Sequence, residues 1–453
     1  MFATFKNAWK IGDLKRKMLF TIMIILLYRL GAQIPVPYVS SAILESSSAA
    51  LQGSIFEYLN WFSGNSFGQA TLFALSVSPY ITAQIVIQLL TVAIPALERM
   101  AKDGDEGQRK ITAITRYTTV GLALITAYGY MTLLDSGFGT GSSWLVEGTN
   151  WFGKTVIVAC YCGGASLIMW LSEKVNQYGI GNGISMILFA NIVSGVPGLV
   201  SELWTMIFAA GGFSGFNWLG LIFAILTVAI TFAIIVFIVW FTESERRIPV
   251  QYAKRVVGRK MYGGQSSSLP LKMNMAGVMP VIFASSIASI PATLAGFFPN
   301  SKFLTKVSEI FSYDTWLYLL IYLVLTVAFS FFYIMISFNV VEVANNIQQN
   351  GGSIPGIRSG RPTVNYISKI LNRVTIIGAI FLCIVAGLPM LVTIINSLLQ
   401  DAHITTGFPI SNLAFGGNSL LIIVGVAIET VHDLEAQVAL RNYGGSKSRG
   451  IFG

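Results

Sequence analysis

Charge is what this chain lacks most. Asp, Glu, Lys and Arg make up 11% of its 453 residues, against 54% hydrophobic residues, where a soluble domain carries about a quarter charged residues. That scarcity excludes an ordinary water-soluble enzyme or binding module and implies a polytopic membrane protein. Histidine and cysteine are scarce too. His403 and His432 are far apart and have no ligand-spaced partners, so no metal centre is expected. Cys160, Cys162 and Cys383 fall in apolar runs. The first two point to different faces of a helix and read as buried structural thiols, not a disulfide or metal pair. No GxxxxGK[ST] loop is present to cradle a nucleotide phosphate. The GIGNG stretch at 179–183 follows no strand and is not a dinucleotide fingerprint. With no nucleophile–base or carboxylate pair standing out, a non-enzymatic chain without cofactors is expected.

Long apolar runs are what the chain has instead. They lie near 18–36, 70–96, 112–134, 154–172, 184–204, 217–241, 275–297, 316–339, 374–395 and 412–431. Crossing the hydrocarbon core takes about 17–25 residues, so the reading is all-α with ten transmembrane helices. Pro79 near the start of the second run, and Gly195, Pro197 and Gly198 in the fifth, are breaks tolerated where backbone lines a cavity or is covered by protein. Residues 1–17 are polar with five cations and lead into the first run without a small-residue cleavage site, so no cleavable leader is expected.

Cations fix the orientation. With the N-terminus inside, 24 of the 29 Lys and Arg fall on the cytoplasmic side, and only Lys154, Lys302 and Lys306 lie outside. Both termini are therefore expected in the cytoplasm. The net charge of +9 sits at span ends, where anionic lipid and the orientation rule account for it, so no direct DNA binding is expected. Ten spans also divide as five plus five, the arithmetic of inverted repeats. The N-terminal half would be 1–204, a Gly-rich hinge 205–216 and the C-terminal half 217–453. Two basic loops, 242–274 and 341–372, are too long for connectors and read as docking sites for a cytoplasmic partner.

Ionisable residues are nearly missing from the span centres, which speaks against an ion-coupled carrier. Arg29, Arg116 and Glu429 lie within spans or near their ends. Moderate polarity is present: Gln84 and Gln88 one turn apart, Asn182, Asn191, Asn274, Ser285, Ser286 and Ser289. Hydrogen bonding between helices, about 0.6 kcal/mol each, explains such residues in any bundle. An aqueous path that opens sideways is the sharper alternative.

Six segments in order carry a resemblance: FSGNSFGQATLFALSVSPYITAQIVIQLL at 62–90, GIGNGISMILFANIVSG at 179–195, RRIPVQYAKR at 246–255, LPLKMNMAGVMPVIFASSI at 269–287, GSIPGIRSGRPT at 352–363 and FGGNSLLIIVGVAIETV at 415–431. Together they resemble the SecY/Sec61-alpha family, the channel subunits of Sec protein translocons. The resemblance implies a clamshell of two inverted five-helix halves around a central pore, opening to lipid between the second and seventh spans. It places a pore ring on Val77, Ile81, Ile184, Leu188, Ile282 and Ile422, which by residue type alone read as ordinary core aliphatics. A plug falls near 56–69, with Phe56, Trp61, Phe62, Ser63, Gly64 and Phe67; a plain extracellular loop is the competing reading. Gln88 and Ser286 fall at the lateral gate.

Docking residues for a SecA motor or a ribosome fall on Arg246, Arg247, Lys254, Arg255, Arg259 and Lys260 in the first loop, and on Arg358 and Arg361 in the second. Arginine suits bidentate contacts to carboxylate and phosphate; general attraction to anionic lipid is the alternative. The implied partners are SecE and SecG small subunits, signal peptides, unfolded precursor proteins and lipid, in a bacterial plasma membrane. The expected function is to pass secretory proteins across that membrane and membrane proteins into it. An inverted-repeat transporter of a small solute and a membrane scaffold are the other classes.

Overall fold

The computed structural model describes residues 6, 8–40, 60, 63–136, 143–146, 148–208, 218–252, 255–257, 260–262, 266–297, 303, 306, 315–401 and 417–448. The helices in chain order are α1 (Gly12–Gly31), α2 (Ser78–Ala93), α3 (Pro95–Lys102), α4 (Gly104–Asp135), α5 (Trp151–Tyr178) and α6 (Gly183–Ile207). They continue with α7 (Trp218–Glu243), α8 (Met279–Phe297), α9 (Trp316–Ser337), α10 (Val340–Gln349), α11 (Arg361–Asp401) and α12 (Gly417–Ser448). Among the described residues, six helices are individually long and apolar enough to span a bilayer, and the bent pair α2–α3 makes a seventh. With α1, α8 and α12 they match the ten apolar runs of the sequence.

Helix packing repeats with a shift of five spans. In the first half α2 packs on α4, α4 on α5, α5 on α6, and α1 on α6. In the second half the equivalent pairs are α8 on α9, α9 on α11, α11 on α12, and α7 on α12. Between the halves α2 meets α8 and α6 meets α12, the contacts that such a repeat makes with itself. A common apolar core of α2, α6, α8, α9, α11 and α12 lies along this boundary.

Several boundaries differ from the apolar runs. The second span begins at Ser78 and not near 70, because 63–77 is a chain of turns. Asn65, Ala70 and Ser76 there have φ of 68°, 46° and 49°, outside the helical region. Pro79 then sits in the first turn of α2, where its missing N–H costs nothing. At the other end Pro95 holds Ile94 extended, and α3 leaves α2 at 101°. The first span spans Gly12–Gly31 rather than 18–36, and α11 and α12 run beyond their apolar stretches into polar sequence. The three thiols are only partly buried, correcting the fully buried reading.

The two basic loops are not irregular. β1 (Glu245–Tyr252) pairs antiparallel with β4 (Ser266–Lys272), and β5 (Gly352–Ser353) from the second loop adds to the other edge of β1. β2 (Arg255–Val257) and β3 (Lys260–Tyr262) form a separate ribbon. Alternate residues Ile248 and Val250 point inward with Leu271 and meet Ile347, Ile354 and Ile367 in a small core of their own. Two segments about 100 residues apart in sequence thus make one platform.

Span α5 approaches the turns of 63–77 closely. A Cβ on Gly164 would come within 2.1 Å of the Leu72 carbonyl oxygen, whereas one on Gly163 would meet nothing within 4 Å. Overpacking of this kind costs about 1–3 kcal/mol. Gly164→Ala is expected to lower the thermal unfolding midpoint of the detergent-solubilised protein, with Gly163→Ala unchanged. Equal midpoints for the two variants would contradict this packing.

Candidate functional site

The six ring residues come from four helices, α2, α6, α8 and α12, all of which make contacts between the halves. Val77 caps α2 and Ile81 lies in its first turns; Ile184 and Leu188 are one turn apart on α6; Ile282 is on α8 and Ile422 on α12. Each is at most 4% exposed, and all six belong to one continuous apolar cluster. All six side chains are aliphatic and carry no polar atom. The one cluster contains residues up to 345 positions apart (Val77 to Ile422) in sequence.

Between the 63–77 turns, α2, α4 and α8, and lined in part by Ile81, lies an apolar cavity of about 250 Å³. Phe67, Ser76, Ile81, Tyr130, Ser286 and Leu294 are among its lining. Ser286 is half-buried and donates to the Ile282 carbonyl of its own helix at 2.8 Å. Gln88 is also half-buried but sits nearly two turns beyond Ile81, outside the cavity lining. The structure therefore places them at different levels of the α2–α8 seam.

Of the expected plug, Ser63, Gly64 and Phe67 are described, while Phe56, Trp61 and Phe62 lie outside the described residues. Ser63 and Phe67 are buried, and the Phe67 amide donates to Ser63 Oγ at 2.9 Å. Two tyrosines from the spans hold this segment by its backbone. Tyr130 donates to the Phe67 carbonyl with its ring 4.6 Å from the Phe67 ring, and Tyr161 donates to the Ala70 carbonyl at 3.3 Å. Asn191 on α6 donates to Ser76 Oγ at 3.1 Å, and Arg29 lies against Gly64. Residue-by-residue reading missed these anchors. Their signal was a tyrosine hydroxyl inside an apolar span, which must find a partner.

The platform displays Arg246, Arg247, Arg358 and Arg361 on its surface. Arg247 is paired with Glu245 at 2.6 Å, so part of its charge is used within the strand. Arg358 follows the turn at Gly356, and its carbonyl accepts from Thr363 Oγ1 at 2.9 Å, which fixes the tip that presents it. Arg255 and Lys260 fall on β2 and β3, while Lys254 and Arg259 lie outside the described residues. Inside the bundle, Arg116 on α4 pairs with the buried Glu173 on α5 at 2.7 Å, a pair unforeseen because Glu173 was placed in a loop.

The family model for SecY matches residues 71–431. The chain belongs to the SecY family. Among curated SecY-family relatives, a protein translocase subunit SecY of Streptomyces galbus is 42% identical, covering 98% of this chain and 99% of its own length. Another from Corynebacterium glutamicum is 39% identical over 97% and 98%. A solved protein-conducting channel matches with a TM-score of 0.62 at 17% identity, over 97% of this chain and 94% of that one. Sec61 in a canine ribosome–channel complex matches at 0.59 and 16%, with the same coverages. At such identities the likeness shows the fold, a SecY-type clamshell of ten helices.

A polar side chain in the waist would be buried without a partner, which costs about 1–3 kcal/mol in the closed state. Ile282→Asn and Ile81→Asn are therefore expected to raise the resting ion conductance of reconstituted channels severalfold. They should also relax the demand for an intact signal sequence in export. Variants that only lower thermal stability, with parental conductance, would reduce the ring to ordinary core.

Proposed function

We propose that the apolar waist is the seal of a protein-conducting pore and that the cytoplasmic platform is where the motor or the ribosome docks. Membership of the SecY family makes the chain a translocase channel subunit and not an enzyme. The observation that supports the pore reading is that these six aliphatic side chains, contributed by both halves, are all buried within the one apolar cluster that spans the boundary. A narrow apolar constriction dewets and resists ions, while aliphatic side chains can part for a passing chain. The small-solute carrier finds no support, since curated relatives of matching length are named translocase subunits.

The finer assignments follow from the same layout. The halves are 1–204 and 217–453 with a hinge at 205–216, most of which lies outside the described residues. Turns 63–77, held by Tyr130 and Tyr161, are where the plug segment attaches. The cavity between α2, α4 and α8 is a site where an apolar signal segment can enter the seam. The cation asymmetry supports a plasma-membrane protein with both termini in the cytoplasm. On that orientation the sheet β4–β1–β5 faces the cytoplasm and offers Arg246, Arg358 and Arg361 to SecA or to ribosomal RNA. SecE and SecG are the expected small subunits. Depleting the chain from its host and following precursor accumulation tests the function as a whole.

Charge reversal at a docking interface replaces attraction with repulsion. Arg358→Glu is expected to cut SecA-driven transport into vesicles at least tenfold while leaving the protein inserted and folded. Near-parental transport by this variant would remove Arg358 from the docking site. For the gate, a cysteine pair across α2 and α8 in a background without Cys160, Cys162 and Cys383 is expected to block transport on oxidation and restore it on reduction. Crosslinking without effect on transport would place the exit elsewhere.

A further inference from the structure

We propose that the GIGNG loop and the turn of α12 around Asp433 form a pin that holds the two halves together on the cytoplasmic side while the α2–α8 seam opens. The proposal rests on the two-half reading above. The loop joins α5 to α6 in the first half, and Asp433 belongs to the second. Asp433 Oδ2 accepts from the Gly181 amide at 3.0 Å, a contact across 252 residues. Gln437, one turn on, donates to both Asp433 oxygens at 3.3 and 3.2 Å and accepts from Lys17 Nζ of α1 at 3.3 Å. The adjacent Ile180 amide donates to Thr21 Oγ1 of α1 at 3.0 Å. A polar chain thus runs from α1 through the tail of α12 to the loop.

An apolar patch backs it. Ile180 is buried with Leu434, Leu14 and Ala8, where the N-terminal segment, the loop and the tail meet. The motif's residues are spent on this fit. Gly181 has φ of 75°, and a Cβ there would come within 3.2 Å of Thr430 Oγ1 on α12. A Cβ on Gly183 would come within 2.0 Å of the Ser172 carbonyl, and Asn182 caps α6 by accepting from Ile184 at 3.1 Å. The link between halves is made to a backbone amide by a short side chain with two equivalent oxygens. Such a contact tolerates a change of angle better than an interdigitated apolar face does. It lies where α6 meets α12, a contact between halves apart from the α2–α8 seam. Asp433 is accordingly a positioning residue for gating.

The test uses the full chain with a protease site inserted in 209–217, so that cleavage leaves the halves held only by their contacts. The rate at which they separate in detergent is followed, together with resting and signal-dependent conductance in reconstituted vesicles. Asp433→Ala is expected to speed separation about tenfold and raise resting conductance. Asp433→Asn keeps a carbonyl acceptor and should stay within about twofold of the parent. Gln437→Leu, which breaks the chain to Lys17 without touching the loop, should give an intermediate rate and guards against misfolding of the Ala variant. The pin is overturned by parental separation in Asp433→Ala, or by Asn and Ala variants that are equally impaired. If the parent shows no signal-dependent conductance yet Asp433→Ala still speeds separation, the pore reading fails and the pin stands.

Discussion

Backbone amides and carbonyls inside a hydrocarbon slab must find partners within the protein, and that requirement shapes everything else in this fold. Ten long helices meet it internally. The turns of 63–77 cannot, because a chain with positive φ at Asn65, Ala70 and Ser76 gives up the regular ladder. They persist where spans close over them. The Phe67 and Ala70 carbonyls accept from Tyr130 and Tyr161, the Thr71 amide returns to the Ser66 carbonyl at 3.2 Å, and the Leu72 amide finds the Ile34 carbonyl at 2.8 Å. Irregular backbone next to the waist thus depends on α4 and α5 staying packed, and it makes that region sensitive to helix movement.

The proposed waist relies on the opposite chemistry. Its six side chains carry no polar atom, so the closed state asks for no specific partner and any tight aliphatic fit will seal. Removing an aliphatic side chain from water is worth about 1.5–3 kcal/mol, and an opened, wetted pore forfeits that stabilisation unless the passing chain replaces the lost contacts. Polar grip is placed elsewhere: on the 63–77 turns, on the Arg116–Glu173 pair, and around Asp433 of α12. Closure is non-directional and movable, while the supports around it are directional and fixed.

Apolar length was sufficient to read the spans, because it follows from transfer energies that act residue by residue. The ring was not legible that way. Val77, Ile81 and Ile422 look like any core aliphatic until six colinear segments tie them to a known family. The platform escaped for a different reason. Ile248 and Val250 give only two inward positions in β1, and its partner β5 lies far along the chain, so no local period announced the sheet. The start of α2 was misplaced because TLFALSV is apolar enough to pass for helix, yet its burial comes from packing on α4 and α5. The polar ends of α11 and α12 were lost to the apolar-run criterion, and with them the contacts of Asp433 and Gln437.

The proposed sideways opening sets unequal demands on the α2–α8 and α6–α12 contacts between halves. In the proposed gate the α2–α8 seam parts for an apolar segment and closes again, which suits a loosely filled interface; Ser286, in the cavity there, donates to the Ile282 carbonyl of its own helix. That bond lies within α8 and is kept when the seam widens. The α6–α12 contact must keep its partners while the angle between halves changes. Ile184, Leu188 and Ile422 on α6 and α12 are packed in the core, and the end of the contact near Asp433 adds hydrogen bonds that reach across the halves. A cross-half bond at the seam would oppose every opening, whereas one at the α6–α12 end opposes only separation. The distribution of polar side chains along the two contacts is therefore what a hinge and a gate require of a single inverted repeat.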